Sequence, residues 1–206
     1  FVETTTINRV FEDEPSDVAV KENTLEMDVQ KPKVYVGLKA KETTLQGEEM
    51  LKHELAVQLS LELAFGRASD FYHEAYEQGW IDESYSFDFT LEKGFGFAII
   101  GSDTSTPEAL VTAIKKQLTK MEEKWPFGLS DLDRVRKKKI GFFLRALNSV
   151  EYIANQFTRY AFNDMNLFDA VPVLEKMTVS DLQHAFASIQ GESQQTVFTI
   201  QPKKDQ

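Results

Sequence analysis

The chain has 206 residues, 42% of them hydrophobic, which is enough for one sizeable core and too few for two. Its 33 acidic and 23 basic residues give a formal charge of -10 at pH 7, which opposes binding to a nucleic-acid backbone. The absence of cysteine excludes disulfides, thiolate metal clusters and a cysteine nucleophile.

The chain opens with an acidic, irregular stretch. Residues 1–23 place several carboxylates around Pro15, a composition typical of a solvated segment. We interpret them as a lead-in linker from an upstream domain, followed by one domain over residues 24–202 and a tail over 203–206. Because Phe1 is not preceded by a methionine or a signal peptide, the chain is interpreted as part of a longer protein.

Two hydrophobic periods distinguish strands from helices along the domain. Apolar residues at every second position predict strands, and apolar residues three and four positions apart predict helices. In chain order, these patterns predict two strands (25–30 and 34–40), two helices (46–65 and 69–79), two strands (85–91 and 95–101), four helices (107–125, 130–147, 150–161 and 179–189) and a last strand (196–200).

Turn and capping residues support these boundaries. Gly94 can adopt the positive φ of a hairpin turn, and Thr106 followed by Pro107 is a helix start. Asn148 with Glu151 resembles a capping box. Alternating strands joined by hairpins form a sheet with one covered face. We therefore predict a two-layer α+β sandwich, in which about five mainly antiparallel strands are covered by about six helices.

Histidines are the first candidates for a metal site, because no cysteine is present. His53 and His73 are each followed by glutamate, but neither begins H-E-x-x-H or H-x-x-E-H, and His184 stands alone. One helix turn cannot then supply two ligands, so the histidines are interpreted as exposed helix residues. The sequence predicts no metal ligands and no catalytic residues.

The glycines and the basic run have ordinary structural interpretations. Gly94, Gly96 and Gly101 lack the spacing of a phosphate-binding loop and suit a hairpin and a strand end. The run from Arg134 to Lys139 predicts a solvated helix face, with a patch that docks an acidic partner as the alternative.

Aromatic residues alternate along the strand predicted at 85–91. Tyr85, Phe87 and Phe89 share one face, which indicates core packing more simply than a ligand cage. An exposed edge or face of such a sheet can also accept an extended peptide through backbone hydrogen bonds.

Three segments carry a family resemblance, FGRASDFYHEAYEQGWIDESYSFDFT, FGFAIIGSDTSTPEAL and RKKKIGFFLRALNSVEYIANQFTRYAFND. With the order of elements from about Leu25 to Ile200, they resemble the C-terminal domain of insulinase/pitrilysin-type zinc metallopeptidases, within a bacterial processing-peptidase-like subgroup. The resemblance implies a metallopeptidase half-domain of the LuxS and processing-peptidase type. Two such halves close around a peptide in this family, and H-x-x-E-H lies in the N-terminal half. Zinc is therefore expected in that missing half and no cofactor in this chain.

The resemblance also points to a segment that contacts substrate. Active relatives have an arginine and a tyrosine in a segment that corresponds to residues 75–82 here. Tyr76 stands in place of the arginine, and Asp82 or Glu83 stands near the tyrosine position. The two roles are therefore not transferred, and Tyr76 and Trp80 are the candidates left for substrate contact.

The resulting hypothesis is a non-catalytic C-terminal domain that forms half of a peptide-enclosing chamber. Its expected partners are the N-terminal half of the same protein, a homologous subunit, or both, with a peptide as substrate. The alternative is a structural assembly module without a proteolytic role. The chain alone is not expected to be an enzyme, and whether its full-length parent is a zinc-dependent peptidase stays open. Short apolar runs and the lack of N-x-Ser/Thr sites predict no membrane span and a cytoplasmic location.

Overall fold

The computed structural model describes residues 14–203, which form a sheet and a layer of helices. Two short 3₁₀ turns, Leu167–Asp169 and Glu192–Gln194, accompany the regular elements. In chain order the strands and helices are β1 (Glu22–Met27), β2 (Lys33–Lys39), α1 (Gly47–Phe65), α2 (Asp70–Glu77), β3 (Ser86–Glu92), β4 (Phe95–Asp103), α3 (Pro107–Glu123), α4 (Leu129–Ala146), α5 (Val150–Phe162), α6 (Ala170–Lys176), α7 (Val179–Ala187) and β5 (Gln195–Pro202).

The sheet has five strands in the order β1-β5-β2-β4-β3. Every neighbouring pair is antiparallel except β1 and β5, which run parallel. The predicted α+β sandwich with a mainly antiparallel sheet is confirmed. Helix α6 was not predicted, because its seven residues are too few to display a helical period and include Pro172.

One face of the sheet is buried under the helices. Alternation along β2 buries Val34, Val36 and Leu38 completely, while the residues between them stay partly accessible. The opposite face is open, and Phe97 and Ile99 of β4 are exposed there. The core therefore lies on one side of the sheet.

Helix α1 occupies the centre of the helical layer, in contact with β3, α2, α4, α6 and α7. Its last carbonyls are satisfied by distant side chains, since Gln117 donates to Ala64 at 3.0 Å and Tyr85 donates to Phe65 at 2.9 Å. The hydroxyl of Ser60 donates to the carbonyl of Leu182 in α7 at 3.0 Å. The buried residues of α1 are Met50, Leu51, Glu54, Leu55, Ala56, Val57, Leu59, Ser60, Leu61, Leu63, Ala64 and Phe65.

Some boundaries differ from those predicted. Helix α5 is capped by Ser149, whose hydroxyl accepts from the amide of Tyr152, and not by Asn148. Helix α4 begins after Gly128, whose amide donates to the carboxylate of Asp131 at 3.0 Å. Serine and asparagine are both favourable N-cap residues. The sequence alone therefore does not show which of the adjacent residues Asn148 and Ser149 caps α5.

Strand β1 begins and ends three residues earlier than predicted and is exposed on both faces, where one buried face was expected. The reason is that β1 packs chiefly against β5, and no helix of the described residues packs extensively over either of its faces. Residues 1–13 of the predicted lead-in lie outside the described part of the chain. Its remainder contacts the domain, because the amide of Val18 donates to the carbonyl of Ser193 at 3.0 Å.

Two glycines provide a matched test of packing. A Cβ at Gly101 would lie 2.5 Å from the Tyr35 ring and 2.6 Å from the backbone oxygen of Val34, whereas a Cβ at Gly141 meets nothing within 4 Å. We expect Gly101→Ala to lower the free energy of unfolding by about 2 kcal/mol through overpacking. Gly141→Ala, in the exposed interior of α4, should raise it by about 0.5 to 1 kcal/mol. Urea denaturation of both variants measures this, and equal effects would contradict the packing described.

Candidate functional site

A groove of about 420 Å³ lies between the edge strand β3, helix α1 and helix α4. Its volume is in the range of small-molecule and peptide subsites. Both the apolar and the charged side chains around it come from all three elements. The lining residues are Gln58, Leu59, Leu61, Glu62, Phe87, Asp88, Phe89, Val135, Lys138, Lys139 and Phe142.

A row of aromatic rings leads from α2 into this groove. Tyr76 stacks on Tyr72 with centroids 6.0 Å apart, and Tyr72 packs against Tyr85 at 5.6 Å. Tyr85 in turn lies 6.3 Å from Phe87, which lines the groove. Ring pairs at these distances are mutually stabilising, so the row is a continuous chain of ring contacts.

An ion-pair cluster lies beside the groove, around Glu54 of α1. Arg159 of α5 donates from Nη1 to Oε1 of Glu54 at 3.0 Å and from Nε to Oε1 of Glu92 at 2.6 Å. It also donates from Nη2 to the carbonyl of Leu91 in β3 at 2.9 Å. A single guanidinium therefore joins α1, α5 and the end of β3.

Burial governs the ionisation of this cluster. The side chain of Glu54 is 3% exposed, and burial raises the pKa of its carboxyl above the ordinary range, although Arg159 opposes the rise. Burial alone would lower the pKa of Arg159, but Glu54 and Glu92 raise it overall, so the guanidinium stays charged. Within residues 14–203, no hydrogen-bond partner reaches Oε2 of Glu54.

Lys139 connects the cluster to the groove. Its ammonium donates to Oε1 of Gln58 at 2.6 Å, and the amide of Gln58 donates to Oε1 of Glu54 at 3.1 Å. Burial lowers the pKa of Lys139, while the charges of Glu54 and Asp88 oppose that change. Lys139 lines both the groove and the adjoining cleft around Glu54.

The predicted solvated face from Arg134 to Lys139 is therefore only partly correct. Arg136 is half-buried, paired with Asp133, and donates to the carbonyl of Glu175 at 2.8 Å. Lys138 pairs with Glu62 at 2.6 Å across the groove. Three of the basic residues thus make specific contacts because α4 packs against α1 and α6.

The three histidines do not form a metal site, although His53 and His184 line one shallow pocket. His53 is largely buried, contrary to the prediction, with Nε2 3.1 Å from the Ser188 hydroxyl and Nδ1 3.5 Å from Glu42. Burial lowers its pKa. His73 and His184 are exposed, as predicted. In the part of the chain from residue 14 to 203, no group of three or more histidine, aspartate or glutamate side chains could hold a metal ion.

Tyr76 and Trp80, the residues proposed for substrate contact, are not among the lining residues of the groove. Tyr76 is exposed and reaches the groove only through the row of rings. Trp80 is half-buried and packs against the core. No helix within the described residues is long and apolar enough to span a membrane.

The groove is lined by apolar, acidic, basic and amide side chains. No serine, cysteine or histidine is among its lining residues, and the carboxylate of Glu62 is paired with Lys138. Glu54 and Arg159, which form the ion-pair cluster beside the groove, were not predicted as site residues. A signal existed, because Glu54 lies between Leu51 and Leu55 on the buried stripe of α1, where a charge requires a partner.

The family model described as "Peptidase M16 inactive domain" matches residues 5–139. The uncharacterized zinc protease YmfH of Bacillus subtilis (strain 168) is 50% identical over 183 residues, which are 89% of this chain and 42% of that protein. The chain therefore spans less than half the length of this relative.

Solved structures have the same fold. An M16-like peptidase from Alicyclobacillus acidocaldarius superposes with a TM-score of 0.90 at 25% identity, over 98% of this chain and 48% of that one. An inactive peptidase domain from Bordetella parapertussis superposes with a TM-score of 0.69 at 15% identity, over 88% of this chain and 96% of that one. At the lower identity the likeness shows the fold alone.

The ion-pair cluster can be tested by removing its cation. Arg159→Met leaves Glu54 buried without a partner, so we expect a loss of about 3 to 5 kcal/mol in the free energy of unfolding. The double variant Glu54→Leu/Arg159→Met should recover most of that loss, because no buried charge is then stranded. Arg145→Met, on the exposed face of α4, is the control and should change stability by less than about 0.5 kcal/mol. Denaturant titration measures the free energy of unfolding of each variant. If the effects of the two substitutions simply add in the double variant, Glu54 and Arg159 are not coupled and the prediction is wrong.

The pH dependence of stability tests the ionisation of Glu54. Its pKa is raised in the folded chain, so the folded state binds the proton more tightly than the unfolded state. The resulting stabilisation is complete below the ordinary pKa of 4.5 and is lost as the pH rises through the raised pKa. Glu54→Gln does not titrate, so its stability relative to the wild type should increase with pH over this interval. A constant difference would contradict the raised pKa.

Proposed function

Because this chain belongs to the family of the M16 peptidase inactive domain, we propose that it forms the non-catalytic half of a peptide-enclosing chamber. The predicted resemblance to the C-terminal domain of zinc metallopeptidases is confirmed by that membership. The catalytic half, which would hold the zinc, is either the rest of the same protein or a paired subunit. The proposal therefore concerns the full-length parent as well as this domain. It is supported by the groove beside β3 and by the exposed apolar residues of α4 and α5.

The groove beside β3 is the observation that carries the proposal. It joins an apolar wall to the Lys138–Glu62 ion pair, and its lining residues include no nucleophile with a base. Such a surface suits the holding of a polypeptide whose bond is cut elsewhere. The share of the relatives that the chain covers, 42% in one and 48% in another, fits one half of a two-part enclosure.

The contact with the other half is proposed to involve the apolar surface of α4, α5 and the turn between them. Leu144, Val150 and Phe157 are exposed on this surface. Single exposed apolar residues are ordinary, but three on two consecutive helices support an interface in this part of the domain. Burial of this surface against the second half would close the chamber on the side of the groove wall formed by α4.

A structural assembly module is the second candidate, since the same apolar surface would serve a complex without proteolysis. The two functions differ in one measurable property, the hydrolysis of a peptide by the full-length parent. We expect the purified parent to cleave a quenched fluorogenic casein peptide and to lose that activity when zinc is removed by a chelator. A parent that assembles into a stable complex but does not cleave would favour the assembly module.

The proposed interface predicts a matched pair of results in the full-length parent. Phe157→Asp should lower kcat/KM for the casein peptide by about tenfold, because a charge in the contact opposes closure. Leu25→Asp on β1 is the control, since the two side chains are 50% and 46% exposed and only Phe157 lies on the proposed surface. Equal kcat/KM values for the two variants would contradict the assigned interface.

A further inference from the structure

A second cavity adjoins the groove, a cleft of about 320 Å³ bordered by α1, α4, α5 and α6. The cleft contains the ion-pair cluster around Glu54 described above. Four residues line both cavities, so the cleft and the groove are neighbours. The shared residues are Gln58, Asp88, Lys139 and Phe142.

Two oxygen atoms on the wall of this cleft receive no hydrogen bond from residues 14–203. They are Oε2 of Glu54 and Oε1 of Gln156, and both atoms are buried. The side chain of Glu54 as a whole is 3% exposed. A buried acceptor without a donor is destabilising, and more so when it carries a charge. The cleft therefore presents two acceptors that a bound donor would satisfy.

The cations on the cleft wall are already engaged. Arg159 donates to the carboxylates of both Glu54 and Glu92. Lys139 donates to the side-chain oxygen of Gln58 at 2.6 Å. An anionic ligand would have to compete with these groups for the two cations. A ligand that donates hydrogen bonds requires no such exchange, so the cleft favours a donor.

The charges around the cleft also favour a cation. Three carboxylates act on the cluster, those of Glu54, Glu92 and Asp88. Two cations oppose them, Arg159 and Lys139. With all five groups ionised, one negative charge is left without a counter-charge. The raised pKa of Glu54 agrees with this balance, because Arg159 does not fully offset the burial of the carboxylate.

Aromatic side chains complete the lining of the cleft. Phe142 and Phe143 come from α4, and Tyr152 and Tyr160 come from α5. Aromatic rings attract cations and also pack against aliphatic chains. An ammonium with up to three donors suits two acceptors, a surplus negative charge and aromatic walls better than a guanidinium with five donors.

We propose that this cleft binds a primary ammonium group carried on a short aliphatic chain. The ammonium donates to Oε2 of Glu54 and to Oε1 of Gln156, and the aliphatic chain packs against Phe142 toward the groove. A free alkylamine and the side chain of a lysine both carry this group. Binding at this site requires neither the chamber nor hydrolysis, so it goes beyond the proposed function.

The experiment measures the binding of small amines to the full-length parent by saturation-transfer-difference NMR, which detects weak ligands of large proteins. n-Pentylamine, protonated at neutral pH and constant ionic strength, is compared with n-pentanol, which has the same chain without the charge. We expect saturable binding of pentylammonium, about tenfold or more tighter than that of pentanol. Equal affinities would overturn the proposal.

Two adjacent amides of α5 provide a matched pair of variants. Gln156 lines the cleft, whereas Asn155 is exposed and does not. Gln156→Leu removes one acceptor at similar volume and should weaken pentylammonium binding about tenfold. Asn155→Leu should leave the affinity within about twofold. An unchanged affinity in Gln156→Leu would overturn the proposal, since the amine would then bind elsewhere on this acidic chain.

Glu54→Gln keeps the size of the side chain and removes its charge. Its affinity for pentylammonium should fall about tenfold, while its affinity for pentanol stays within about twofold. Equal weakening of both ligands would overturn the role assigned to the charge. Circular dichroism verifies that each variant is folded, and Gln156→Leu, at a half-buried position, tests the site independently if Glu54→Gln is not.

Nα-acetyl-lysine N-methylamide distinguishes the two sources of the ammonium. An affinity within about threefold of that of pentylammonium assigns the cleft to a lysine side chain, and binding of pentylammonium alone assigns it to a free amine. Acetylation of the lysine Nζ removes the charge and should abolish binding of this derivative. Binding that survives acetylation would overturn the proposal. A parent that binds the amine without hydrolysing the casein peptide would remove the chamber and leave this site intact.

Discussion

The burial of α1 on almost every side is the constraint on which the rest of this domain depends. A helix packed between a sheet and four other helices can be apolar nearly throughout, and twelve of its residues are buried. Glu54 interrupts that surface and has no access to water, so it needs a cation from within the fold. Arg159 provides it, and in doing so sets α5 against the end of β3.

The groove is a consequence of this packing. Helix α4 contacts α1 but leaves a gap beside β3, where the edge of the sheet would otherwise be covered. Lys138 and Glu62 neutralise each other in the groove, and much of the wall is apolar. Its lining residues include no serine, cysteine or histidine, which agrees with membership in a family described as an inactive domain.

Much of the fold was predictable because local patterns and tertiary burial agree in it. The leucines of α1, the alternation of β2 and β3, and Thr106 with Pro107 each predicted an element that the structure contains. The errors have physical causes. The two exposed faces of β1 depend on its place in the sheet, and the choice between Asn148 and Ser149 as a cap depends on geometry that composition does not encode.

The candidate site was less accessible to prediction, because it is assembled from contacts that are distant in sequence. Glu54 and Arg159 are 105 residues apart, and Lys139 was read as one member of a solvated run. The bond from Arg159 to the carbonyl of Leu91 has an additional consequence. The acceptor in this bond is the carbonyl of Leu91, two residues after Phe89 in the edge strand β3. One end of this sheet edge therefore already has a hydrogen-bond donor. A peptide bound along β3 would meet the guanidinium of Arg159 at Leu91. This contact would limit how far the peptide could extend in that direction.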